Sequence, residues 1–170
     1  MSDGRLGSIE RWKDNPYAVD LGDADVLTAL NEGPAQLRAL VDGLTPAQMA
    51  SSYAPGKWTA AQLLVHLAQC EFVFGSRVRM ALTHDGYVVQ PFDQDAWLRR
   101  EAGTDGRVAF WAYYAMRHLN VQLFSTLSPE DRRRPLTHPE RGPMIVEWIL
   151  ESLAGHERHH LPHFRTIAGS

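Results

Sequence analysis

Four stretches of the chain carry apolar residues at helical spacing, and they set the expected architecture. Val26, Leu27, Leu30, Leu37, Leu40 and Val41 recur at the intervals of one helix face, from about Asp23 onward. Gly33-Pro34 falls inside that run. Proline lacks an N–H and crowds the preceding turn, so the pair predicts either a kink or two short helices. Beyond a Thr45-Pro46 turn, Thr59 is placed to cap a second helix reaching about Leu82, with Leu63, His66, Leu67, Cys70 and Phe74 on one stripe. Leu64, Val65, Ala68 and Phe72 make its other side apolar too. Such a helix is either central to the fold or covered by a second subunit. A third helix is expected from about Arg107 to Leu127, and a fourth from about Met144 to Ile167.

The connection from His84 to Gly106 is rich in Gly, Asp and Gln, with room for one short helix near Asp93 to Glu101. It is long enough to run the length of a bundle, or to serve as a lid. The expected fold is therefore all-α: a four-helix bundle in up-down-down-up order. Tyr87-Val88-Val89 is the best strand signal and is short, while Thr137 to Pro143 reads as loop. Residues 1–21 read as a polar N-terminal extension, anchored through Trp12, Pro16 and Tyr17, and residues 22–170 as a single domain.

Composition narrows the function. A net charge of −3 argues against a general nucleic-acid binder, and the Arg132-Arg133-Arg134 run reads as a solvated loop. A single cysteine, Cys70, allows no intrachain disulfide and fits a reducing compartment. The polar N-terminus does not read as a secretory signal, and no apolar run reaches membrane-spanning length. A cytoplasmic protein with no membrane partner is expected.

The chemistry gathers near the C-terminus, in Gly155-His156-Glu157-Arg158-His159-His160-Leu161-Pro162-His163. His160 lies about 40° from His156 on a helix, so both rings leave one face a turn apart, continuing the stripe of Ile145, Ile149 and Leu153. Buried imidazoles need partners, and one metal ion satisfies several at once. The segment fits H-E-x-x-H, but the third protease ligand is absent: Thr166 stands where one class has histidine. A third ligand would have to come from upstream, and His66 on the second helix is the best placed. Glu157 is the candidate base, although its offset of about 100° from His156 also lets it face solvent. Gln62, one turn before His66, together with His159 and His163, are candidates for contacts around the ligands or in a substrate pocket. Pro162 is expected to disturb the turn before His163. Imidazole donors suit zinc or nickel, with iron a further option.

The segment Lys57-Trp58-Thr59-Ala60-Ala61-Gln62-Leu63-Leu64-Val65-His66-Leu67 resembles the W-S/T-x-x-Q/E-x-L-x-H-L/I opening of helix two in the DinB/YfiT-like family. Thr137-His138-Pro139-Glu140-Arg141-Gly142, followed by HERHHLPHF, resembles its last loop and helix, and Phe92-Asp93-Gln94-Asp95-Ala96-Trp97 also fits. At Gln69 this chain departs from relatives that carry an acidic residue. The resemblance implies a four-helix bundle, usually a homodimer, with one divalent ion on His66, His156 and His160. It implies a metal-dependent enzyme acting on a small molecule: a transferase using a low-molecular-weight thiol such as bacillithiol or mycothiol. The alternatives are a hydrolase using metal-bound hydroxide and a non-catalytic, stress-associated metal-binding protein.

Overall fold

In the computed structural model, which describes residues 15–169, each of the four periodic stretches is a long helix. A short turn, α1 (Ala18–Leu21), precedes α2 (Val26–Val41), and α3 (Pro46–Met49) leads to α4 (Ala60–Thr83). Next come α5 (Gln94–Arg100), α6 (Gly106–Phe124), α7 (Pro129–Arg132), strands β1 (Pro135–His138) and β2 (Gly142–Ile145), and α8 (Val146–Ala168). Side-chain caps fix several starts: Asp25, Asp93 and Asp105 each accept a backbone N–H of the first turn, and Thr59 forms a capping box with Gln62.

Gly33-Pro34 does not divide α2 into two helices: one helix runs from Val26 to Val41. Pro34 leaves the Leu30 carbonyl without its helical donor, and Arg117 Nη1 on α6 supplies one at 3.3 Å. Gly33 lets α8 come so close that a Cβ would run into the Glu157 carboxylate. The two residues that read as a break are thus where α2 docks. Pro162 likewise does not end α8, which continues through it. It is exposed, so water can serve the carbonyl it frees. The expected loop at 137–143 is corrected too: β1 and β2 pair antiparallel, Pro135 opposite Ile145 through His138 opposite Gly142. Val88 adds a parallel bridge to Thr137, so the weak strand signal at 87–89 joins this hairpin.

Gly106 at the start of α6 lies against Ala61 at the start of α4, and Asn120 lies against Gly75, so these two helices run parallel. Gln48, just before α4, donates to the carbonyls of Ile167 and Ala168 at the end of α8, which therefore runs the opposite way. Arg107, opening α6, donates to the Leu44 carbonyl just beyond α2. The order is up-down-down-up, and the 84–105 connection travels the length of the bundle. Each helix packs on two others, in the cyclic order α2, α8, α4, α6.

The buried apolar residues form two clusters, and a polar layer separates them. In α2, Leu30 belongs to one and Leu37 to the other, with Gly33 between. In α6, Val121 and Tyr113 flank Arg117, and in α8, Ala154 and Leu161 flank His156, Glu157 and His160. Residues 15–21, read from sequence as part of an anchored extension, pack on the helices. Leu21 is 1% exposed, and Arg158 donates to its carbonyl at 2.9 Å. Gly155 leaves room for Tyr17, whose Cβ would stand 2.8 Å from any Cβ there. Trp12, the third expected anchor, lies outside the described residues. No helix among the described residues is long and apolar enough to cross a membrane.

Candidate metal centre

Antiparallel packing of α4 on α8 sets His66 against the 156–160 turn. His156 Nε2 stands 2.9 Å from His66 Nε2 and 2.9 Å from His160 Nε2, and the ligand atoms of all three lie within 4.8 Å of one another. All three residues are buried. Burial strips the imidazoles of hydration and favours their neutral forms, lowering the His66 pKa to about 4. For His160, burial with neighbouring His66 and His159 lowers it to about 2. Burial and the other two rings likewise hold His156 well below the usual range.

Three neutral imidazoles at these distances are poorly satisfied by one another. The Nε2 of His156 offers either one N–H or one lone pair, yet faces two neighbours at equal range. A cation among three lone pairs satisfies all of them at once, so the donor set fits a metal ion.

The other predicted residues fall at different distances from this point. His163 Nδ1 is 3.1 Å from His160 Nδ1, and its ring stacks on Tyr53 with centroids 3.9 Å apart, so it contacts a candidate ligand from behind. His159 turns outward, with Nδ1 3.4 Å from Asp20 Oδ2. Gln62 caps α4: its Oε1 accepts the Thr59 N–H at 2.9 Å, so the role of orienting His66 does not describe its placement. Cys70 Sγ lies 3.7 Å from His66 Nε2, but burial pushes its thiol pKa up and keeps it protonated. Gln69 reaches Glu101 Oε2 at 3.0 Å.

Glu157 is 2% exposed and does not face solvent. Its Oε2 pairs with Arg117 Nη1, and its Oε1 accepts from the Tyr113 hydroxyl at 2.7 Å. Arg117 also binds Glu71 Oε1 through Nε at 2.7 Å and Nη2 at 2.6 Å, and Asn120 Nδ2 donates to Glu71 Oε2 at 2.9 Å. This network joins α2, α4, α6 and α8 beside the histidines. A cavity of about 170 Å³ opens on their other side, lined by His66 and His156 but not by Glu157.

Glu71, Arg117 and Arg77 escaped the sequence reading, and His138 entered it only within the Thr137–Gly142 segment, with no partner assigned. A signal existed for two of them: Glu71 and Arg77 interrupt the long apolar stretch of α4 and are both buried. His138 enters the cavity wall from β1, an element read as loop.

Fold and site together define a class: an up-down-down-up helical bundle with a buried three-histidine cluster able to hold an ion. The chain belongs to the DinB superfamily, whose family model matches residues 29–163. It is 27% identical over 142 residues to OB0782 of Oceanobacillus iheyensis, covering 83% of each chain. To YfiT of Bacillus subtilis it is 26% identical over 145 residues, covering 84% of this chain and 82% of that one. Both relatives are named as candidate metal-dependent hydrolases. The solved structure of YfiT, described as a probable metal-dependent hydrolase with an unusual four-helix bundle topology, matches with a TM-score of 0.80. That match covers 99% of this chain and 93% of the other at 23% identity, and it establishes the fold.

Proposed function

We propose that this chain is a metal-dependent enzyme of the DinB type, with His66, His156 and His160 holding one divalent ion. One observation carries the reading: three buried, uncharged imidazoles from two helices aim their Nε2 atoms at one spot. An all-nitrogen donor set suits zinc or nickel first and iron next. Held by three imidazoles, such an ion would act as a Lewis acid and lower the pKa of a nucleophile bound to it. The chain's own groups shape the site. Trp58 and Tyr17 pack on His66 and His156 with ring centroids 4.8 and 4.9 Å apart. Glu157 and Arg117 pin α8 against α6, which sets the direction of the neighbouring His156 ring. The cavity before His66 and His156 has room for a small molecule.

Hydrolysis of a small substrate is the first reading, because OB0782 and YfiT carry that name. The second is transfer to a low-molecular-weight thiol, and the placement of Glu157 favours it. The carboxylate that could have served water as a base is bound to Arg117 and Tyr113. A thiol, with an ordinary pKa of about 8.5, needs less help from a base. Elemental analysis of wild type beside His66→Ala tests the site, with loss of the ion expected in the variant. Equal content would remove His66 from it. Metal-loaded protein is then offered an ester alone, and a chromogenic electrophile with bacillithiol or glutathione. Turnover of the ester without thiol supports hydrolysis, and conjugate formed only with thiol supports transfer.

A further inference from the structure

The cavity beside the histidines has a second chemical feature. Arg77, eleven residues after His66 on α4, lines it and is 7% exposed. Its Nη2 donates to the Gln90 carbonyl at 3.0 Å and its guanidinium lies 5.4 Å from the Phe74 ring centroid. Among the described residues its Nε has no hydrogen-bond partner and no carboxylate pairs with it. That is unusual for a buried cation, which is normally matched by an opposite charge. The neighbours deepen the imbalance. Arg141 also lines the cavity, with its guanidinium 6.0 Å from the Trp148 ring. The carboxylate in the lining, Glu140, is exposed and makes no ion pair with Arg77. Arg117, a second buried arginine, shows the contrast: Glu71 and Glu157 both pair with it.

We infer that the cavity takes a small organic carboxylate, anchored by Arg77 with Arg141 at the rim, while the remainder of the molecule lies toward His66 and His156. A guanidinium presents N–H groups in a planar fork that matches the two oxygens of a carboxylate. Phe74, Cys70 and Phe92 line the cavity and offer an apolar surface to the body of the ligand. This deepens the enzyme reading by naming a substrate class, and its metal-reactive end rests on that reading; the anchoring by Arg77 does not.

The test therefore uses binding rather than turnover. Phenylacetate and its neutral isostere phenylacetamide are titrated into the metal-free full chain by calorimetry, with saturation-transfer NMR as a second readout. Saturable binding of the acid, at least tenfold tighter than the amide, is expected. In Arg77→Gln the preference for the acid should vanish, while metal uptake by the histidines stays at the wild-type level. Arg77→Lys should keep part of the preference, and Arg141→Gln should lose only a few-fold. Equal binding of acid and amide by wild type, or an unchanged preference in Arg77→Gln, overturns the inference. So does displacement of the acid by equimolar chloride, since the guanidinium then holds any small anion. Because the acid–amide comparison needs no variant, a poorly folding Arg77→Gln leaves the inference open to refutation. A chain that loads metal but ignores the acid refutes the carboxylate alone; one that binds the acid through Arg77 but takes up no metal refutes the enzyme reading alone.

Discussion

Alanine is the better helix former, so Gly33→Ala in the interior of α2 would by propensity stabilise the chain by about 1 kcal/mol. Gly33 is not among the positive-φ residues, so its backbone would accept alanine without strain. The surroundings reverse the sign. A Cβ at residue 33 would stand 2.5 Å from Glu157 Cδ, far inside contact distance. A free glutamate could swing aside. This one is 2% exposed and held by both Arg117 and Tyr113. Hydrogen bonds to charged groups contribute roughly 1.5–3 kcal/mol each, so losing two costs about 3–6 kcal/mol. Set against the propensity gain, Gly33→Ala should destabilise by about 2–5 kcal/mol, a fall in Tm of roughly 4–20 °C for a chain of this size. Urea unfolding of the metal-free protein at pH 7 measures the difference. Repeating the substitution in a Glu157→Ala background isolates the cause: with the carboxylate gone, Gly33→Ala should become neutral or mildly stabilising. A Gly33→Ala protein as stable as wild type, or an equal loss in both backgrounds, would show that α2 and α8 do not meet as described.

Arg117→Met should destabilise by about 3–5 kcal/mol in the same assay, because Glu71 and Glu157 are left as buried, unpaired charges; a loss under 1 kcal/mol would deny the network its role. A chain beginning at residue 22 should lose stability and expose His156, since burying Leu21 alone is worth roughly 1.5–3 kcal/mol and Tyr17 covers the ring; unchanged unfolding would show that this segment adds nothing to the stability of the fold. Without metal, the buried histidines make stability depend on pH. Their folded pKa values lie below the unfolded value of about 6.5, so the unfolded chain takes up protons first. The histidine contribution is complete above that value and declines as pH falls toward about 4 for His66 and about 2 for His160. His66→Gln should show a shallower decline between pH 6.5 and 4, and identical slopes would contradict the burial of this ring as a neutral group. Phe72 and Leu119, each 60% exposed on α4 and α6, are proposed to cover one another's counterparts in a homodimer; sedimentation of Phe72→Glu should show a loss of dimer, and a monomeric wild type would refute it.

Periodicity within one helix was legible in the sequence, and partnership between helices was largely not. Thr59 as cap, the stripe through His66 and the one-turn spacing of His156 and His160 are local features, and each sits where spacing put it. The parallel run of α4 and α6 followed from the length of the 84–105 connection. Arg117 could not be paired from its own helix, because Glu71 and Glu157 reach it from α4 and α8. That Gly33-Pro34 does not divide α2 was hidden for the same reason: what lets α2 continue is a donor on α6 and an open space for α8. The hairpin at 135–145 was masked by its prolines, which strands tolerate at a first residue or an edge.

The division of the interior into two apolar halves has a consequence for how the helices find their alignment. Leucine-rich faces alone are nearly indifferent to sliding, since a shift of one turn, about 5.4 Å, exchanges one hydrocarbon contact for another. Here such a slip would carry Glu157 and His156 into hydrocarbon and leave Arg117 facing a leucine. The ionic seam across the middle thus acts as a vernier, admitting one axial position for all four helices at once.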